Sequence, residues 1–211
     1  DKVREFPFSE VKQIIEEEFK KPLNQIFPYF EKKPIASASV AQVHRARLVS
    51  GKEVAVKVQR PNIQELIDTD LDLLFLIAHT LEKRFPEIRK YNPINIIKEF
   101  ALWTHRELDF LREAENAIRL KKANHNPKVR IPSVYMSYCS NRVLTLDFIH
   151  GEKLSTLIKN NRHNKAIVET YFFSILEQAL LQGLFHADPH PGNIFIAKDG
   201  KLVYLDFGIV G

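Results

Sequence analysis

The chain has 211 residues, 45% hydrophobic and 27% charged, which is ordinary for a soluble globular protein and enough for one large domain or two small ones. Its net charge of +5 suits an anionic ligand, an acidic membrane surface or nucleic acid, but the two signs are interleaved along the chain as on a common solvated surface. Cys139 is the single cysteine, which excludes an intrachain disulfide and a thiolate zinc cluster.

In chain order, the N-terminal DKVREFPF has no apolar signal region. Ser9 is placed to cap a helix over residues 10–20, with Phe19 on its apolar side. Strands are predicted over 43–49 and 53–59, flanking the hairpin turn Ser50-Gly51-Lys52. A helix follows over 63–85, between Pro61 and Pro86. Its run at 73–78 is the longest apolar stretch, far short of the ~20 residues a spanning helix needs, so membrane contact is expected to be peripheral. After Pro93 the spacing of Ile97, Phe100, Ala101, Leu108, Leu111, Ala114 and Ile118 predicts one long helix to about 123. A strand over 142–148 ends at the break His150-Gly151. The mostly apolar helix 165–183 is expected to be buried on most sides. A second hairpin pairs 193–197 with 201–205 about Lys198-Asp199-Gly200. The class is α+β with two lobes: an N-terminal lobe at 1–148, then a hinge and an incomplete C-terminal lobe at 149–211.

Three motifs carry chemistry. In Val54-Ala55-Val56-Lys57, strand alternation puts Ala55 and Lys57 on one face, leaving room for a flat ring while the ammonium reaches phosphate oxygens. His186-Ala187-Asp188-Pro189-His190-Pro191-Gly192-Asn193 is a loop stiffened by two prolines, and its Asp188-to-Asn193 spacing matches the catalytic loop of protein kinases. Its histidines lack the ligand spacing of a zinc site. Asp206-Phe207-Gly208 follows a strand, where a carboxylate can project into a cleft and hold Mg²⁺. In this order the motifs point to a protein-kinase-like site for ATP and magnesium. Asn193 and Asp206 would hold the metal, Lys57 the phosphates, and Asp188 the attacking group. In the same comparison the strand over 143–148 takes the place of the kinase hinge. Backbone groups of Asp147 and Ile149 would meet the adenine edge, with Val43 and Ala55 above the ring and Phe195 below it.

One expected element is missing. The place of a Gly-rich phosphate loop is taken by a glycine-free stretch containing Ala36, Ser37, Ala38, Ser39, Val40 and Ala41, which is stiffer than a glycine loop. This stretch, with Gln42-Val43-His44, the strand lysine, Glu107-Leu108-Asp109, the 186–193 loop and the 206–208 triplet, resembles the UbiB/ADCK family of atypical kinases. The resemblance covers nearly the whole chain. It implies a kinase-like fold binding ATP with magnesium and supporting synthesis of ubiquinone or a related isoprenoid quinone. The expected partners are nucleotide, a membrane lipid or quinone precursor, and quinone-synthesis proteins. The expected place is cytoplasmic, peripheral to an inner membrane, or in a mitochondrion or plastid. Glu107 and Asp109 match the family's E-x-D motif as gating residues. The residues alone leave Glu99, Glu107, Glu113 and Glu115 open as partner of Lys57; the resemblance selects Glu113. The family's K-x-G-Q motif does not occur, and the sequence stops shortly after Gly208 where a kinase continues. Both suit an excised segment, in which the 165–183 helix would lose cover.

The acceptor stays open between water, a protein and a small molecule. The alanine-rich loop and the family's occluding elements favour hydrolysis coupled to a lipid precursor over protein phosphorylation. A nucleotide-gated scaffold for quinone-synthesis proteins is the competing class. Nucleic-acid binding is disfavoured, since no Lys/Arg stripe interleaved with aromatics occurs.

Overall fold

The computed structural model describes residues 4–162 and 165–211. Two sheets organise the chain. The first is built on the hairpin of β3 (Ala41–Arg47) and β4 (Glu53–Gln59), whose turn uses Gly51 at φ 84°, a left-handed conformation that costs glycine little. The short strands β1 (Tyr29–Phe30) and β2 (Ala36–Ser37) pair antiparallel with β3, and β6 (Val143–Asp147) pairs antiparallel with β4. Alternation then sorts the hairpin. Val54, Val56, Val58 and Ala46 are fully buried against Val11, Ile14 and Ile15 of α1 (Phe8–Phe19) and Leu23 and Ile26 of α2 (Leu23–Ile26). Each of the Val, Ile and Leu side chains among them contributes on the order of 1.5–3 kcal/mol of burial. Val43, Ala55 and Lys57, on the opposite side, are only half-buried.

The second sheet runs β5–β9–β8–β7, from β5 (Val129–Arg130), β7 (Gly151–Lys153), β8 (Ile194–Ala197) and β9 (Leu202–Tyr204). The β8–β9 turn places Gly200 at φ 79°. Gly151 is required for a different reason. It pairs with Ala197, and a Cβ there would lie 2.9 Å from the Ile196 carbonyl carbon and 3.0 Å from the Ala197 Cα. One core joins the two sheets: Phe110, Ala114, Ala117 and Leu120 pack with Leu144 and Leu146 of β6 and with Ile194, Leu202, Tyr204 and Phe207.

The five expected strands lie within two residues of β3, β4, β6, β8 and β9, the short β1, β2, β5 and β7 are not among those expected, and three helical expectations are corrected. Helix α1 begins at Phe8 because Pro7 takes the cap position, its carbonyl accepting from the Glu10 amide at 3.0 Å; Ser9 lies inside the first turn and caps nothing. The single helix expected from Pro93 to 123 is two, α4 (Pro93–Glu107) and α5 (Phe110–Ala123). Asp109 breaks it: its carboxylate accepts the Arg112 amide at 3.1 Å and caps α5, while the Leu108 carbonyl accepts from buried Gln59 at 2.8 Å. For 165–183 the expected burial on most sides fails, whereas the expected loss of cover is met. Helix α7 (Lys165–Glu177) passes into a wider turn over Gln178–Gln182, and Phe172, Phe173, Leu180 and Leu181 are 61–80% exposed. Helix α3 (Ile63–Arg84) packs against α4, and α6 (Leu154–Lys159) against β7 and β8. No described helix is long and apolar enough to cross a membrane.

Candidate nucleotide and metal site

Lys57 lies on the half-buried face of β4, and α5 brings Glu113 to it. The ammonium donates to both carboxylate oxygens of Glu113, at 2.8 and 3.0 Å, and stands 3.7 Å from Asp206 Oδ2. Its Nζ also lies 4.9 Å from the centroid of the Phe110 ring. Of the four glutamates left open by spacing, the structure therefore brings Glu113 to Lys57; it is 3% exposed. Burial opposes the charge on Lys57, but Glu113 and Asp206 outweigh it and hold the ammonium above its usual range. For Glu113 burial pushes the carboxyl above its usual range, Lys57 pulls against that rise and Asp206 adds to it.

Asp206 is half exposed. Burial would raise its carboxyl, yet Lys57 and the Gly208 amide at 3.0 Å keep it below the usual carboxylate range. The triplet is pinned from both sides. Phe207 is fully buried in the core, its carbonyl accepts from Asn116 Nδ2 at 2.9 Å, and its amide faces Glu113 at 3.5 Å.

The 186–193 loop is fixed by hydrogen bonds as well as by proline. His186 Nε2–H donates to the Asp206 carbonyl and Nδ1 accepts the Asp188 amide at 3.2 Å, which sets one neutral tautomer; burial lowers the tendency of this ring to protonate. Tyr171 donates its hydroxyl to the Pro189 carbonyl at 2.7 Å. Asn193 Nδ2 donates to Asp188 Oδ2 at 2.7 Å, and the Leu205 amide donates to the Asn193 carbonyl at 3.0 Å, so the loop and the 206–208 triplet are neighbours. With its nitrogen on Asp188, Asn193 keeps its amide oxygen for a cation. Beside it Asp206 supplies carboxylate oxygen. Two hard oxygen donors of this kind are the chemistry that would suit Mg²⁺. Among the described residues no group of three or more His, Cys, Asp or Glu is placed to hold a metal.

The remaining expected residues divide. Val43, Ala55 and Phe195 are half-buried. Ala36 and Ser37 form β2, and Ala38 to Val40 make the tight turn into Ala41, the Ala38 amide donating to the Ala41 carbonyl at 2.8 Å. The Ser37 hydroxyl is enclosed without a partner, which leaves its backbone rather than its side chain to offer a ligand. At the hinge a correction is needed: the Asp147 amide is taken by the Ser133 carbonyl at 2.9 Å, so only its carbonyl remains for a ring edge. The Asp147 carboxylate accepts from Tyr135 at 2.7 Å and from the Ser133 amide at 2.8 Å, and these bonds hold it below its usual range against burial. Glu107 ends α4 exposed to solvent, and Asp109, also exposed, is spent on capping α5. Asp109 and Glu113 therefore do not meet in the cleft. Asn116, Gln59 and Tyr171 are site supports that no local pattern marks, since each bonds a backbone group far away in sequence.

A lysine–glutamate pair under a hairpin, facing an Asp–Asn loop and a strand-end Asp-Phe-Gly, defines a protein-kinase-like fold. The chain belongs to the ABC1 atypical kinase-like domain family, whose model matches residues 1–211. It is 39% identical over its whole length to the protein named ACTIVITY OF BC1 COMPLEX KINASE 7, chloroplastic, of Arabidopsis thaliana, and equally to the probable protein kinase UbiB of Pseudomonas paraeruginosa. It spans 31% and 41% of those two proteins. Among solved structures, the Rv3197–erythromycin complex from Mycobacterium tuberculosis aligns with a TM-score of 0.81 at 28% identity, over 98% of this chain and 52% of that one.

Proposed function

We propose that this chain binds ATP with magnesium and carries the phosphoryl-transfer site of a UbiB-type atypical kinase, with ATP hydrolysis coupled to handling of a lipid precursor of an isoprenoid quinone. The observation that carries the proposal is Lys57, held between Glu113 and Asp206 beside the Asp188–Asn193 pair. Lys57 would contact the α- and β-phosphates, its ammonium kept charged and aimed by Glu113. Asn193 and Asp206 would hold magnesium, which when bound neutralises charge on the transferring phosphoryl group. Asp188 would orient the attacking oxygen and receive its proton. Val43 and Ala55 would cover the adenine and Phe195 support it, with the Asp147 carbonyl and the Ile149 amide at its edge.

The absence of glycine from the 36–41 stretch supports a specialised phosphate loop and ranks water above a protein hydroxyl as acceptor. Glu107 and Asp109 would act from the rim, gating substrate or contacting another segment. The site would work peripheral to a membrane, near quinone-synthesis proteins. The test is magnesium-dependent ATP turnover by the intact protein, with and without anionic vesicles and phenolic precursor analogues. Hydrolysis should be stimulated by these additions and lost in Asp206→Asn and Lys57→Met. Stoichiometric protein phosphorylation with no ATPase activity would replace the hydrolytic reading. Unchanged turnover in both variants would overturn the site itself.

A further inference from the structure

Arg60 follows the last residue of β4 and belongs to none of the motifs above, yet it holds the glycine-free turn on three consecutive carbonyls. Its amide donates to the Val40 carbonyl at 2.8 Å, its Nε to Ser39 at 3.0 Å and its Nη2 to Ala38 at 3.1 Å. A trans peptide points its C=O and N–H in opposite directions. With the carbonyls of Ala38 and Ser39 drawn to one guanidinium, the N–H groups of Ser39 and Val40 point away from it. Among the described residues neither amide donates a hydrogen bond. The turn leads into β3, whose Val43 stands opposite Lys57 in the hairpin register. The two free amides are thus on the chain segment that enters the lysine hairpin, and adjacent free amides in a turn make an anion-binding concavity.

The same guanidinium reaches the N-terminal segment. Its Nη2 donates to the Arg4 carbonyl at 3.0 Å, and its centre lies 5.2 Å from the centroid of the Phe6 ring. Fully buried Gln42 donates to the Phe6 carbonyl at 3.3 Å, fastening that segment to β3 independently. Residues 4–6 and the turn therefore share one anchor.

We infer that Arg60 is a positioning residue, which fixes the 38–40 turn so that the Ser39 and Val40 amides receive nucleotide phosphate and makes that geometry depend on residues 4–6. In a glycine loop the backbone adapts to the phosphates; here a side-chain fork sets it in advance. The inference rests on the nucleotide reading above.

The test compares the affinities of MgATP and adenosine for the intact protein as wild type, Arg60→Gln, Arg60→Lys and Phe6→Ala. Losing two charge-assisted amide contacts should weaken MgATP about thirtyfold in Arg60→Gln, while adenosine, which has no phosphate, binds as before. Arg60→Lys keeps the charge without the fork and should fail to restore MgATP binding. Phe6→Ala should shift MgATP in the same direction by a smaller factor. A parallel fall of both ligands would mark a merely structural arginine and overturn the inference, as would unchanged MgATP affinity in Arg60→Gln. An unchanged Phe6→Ala would overturn the dependence on residues 4–6. Wild type that binds MgATP no better than adenosine would overturn the nucleotide reading and this inference together, whereas normal wild-type binding with an unaffected Arg60→Gln overturns the inference alone.

Discussion

Replacing Glu113 with leucine tests the pairing on which the site stands. Glu113 is 3% exposed and gives both oxygens to Lys57, whose own side chain is 20% exposed. Removing one partner of a buried ion pair costs about 3–5 kcal/mol, because the other charge is left uncompensated. Here Asp206 still faces Lys57 at 3.7 Å, so the cost should fall at the low end, about 3 kcal/mol, or a melting temperature lower by about 6–12 °C for a chain of this size. Lys57→Met should cost a similar amount, since it strands Glu113. The double variant places two apolar side chains together and should recover about 2 kcal/mol relative to the sum of the single losses. Urea denaturation followed by circular dichroism on the four proteins closes the cycle. Losses that add to within about 0.5 kcal/mol would refute the claim that these two charges hold each other.

Other consequences follow from neighbouring contacts. Gly151→Ala should lower stability by about 1–3 kcal/mol, since the new methyl meets fixed backbone of β8, and thermal melting reads this directly. Gln59→Leu should cost about 1–3 kcal/mol by leaving the Leu108 carbonyl without its donor at the α4–α5 break, and amide exchange of residues 108–112 should quicken. His44 is buried beside Phe8 and Phe30, and burial lowers its pKa although the Glu31 carbonyl at 2.9 Å pulls the other way. The native state then binds fewer protons than the unfolded chain below about pH 6.5, so stability should fall as pH drops through that value, by at most about 1.4 kcal/mol per unit from this group. Melting at pH 7.5 and 5.5 should show a smaller difference in His44→Gln; an equal difference would assign the loss elsewhere.

Much of the site is legible because its chemistry is packed into short stretches. The strand lysine, the 186–193 loop and the 206–208 triplet each need fixed local spacing, and local spacing is what a sequence displays. Strand alternation likewise assigns Ala55 and Lys57 to one face without any tertiary information. The long helix from Pro93 misled because apolar periodicity runs through Leu108 and Leu111 without showing that Asp109 would cap a new helix and that Gln59, 49 residues upstream, would donate to the freed Leu108 carbonyl. For 165–183 composition reports a wish for burial and not the presence of a cover; Phe172 and Leu181 are exposed, as the expected loss of cover implies.

The sequence by itself determined the family, the α+β class and the identity of the groups available for phosphate and metal, because these depend on residue type and near-neighbour order. Only the tertiary structure decided which of four glutamates meets Lys57, which half of the Asp147 peptide is left free, and that Arg60 holds the alanine-rich turn. Each of those is a contact between segments tens of residues apart, set by how α5 and the N-terminal strap pack against the first sheet, and no local pattern encodes it.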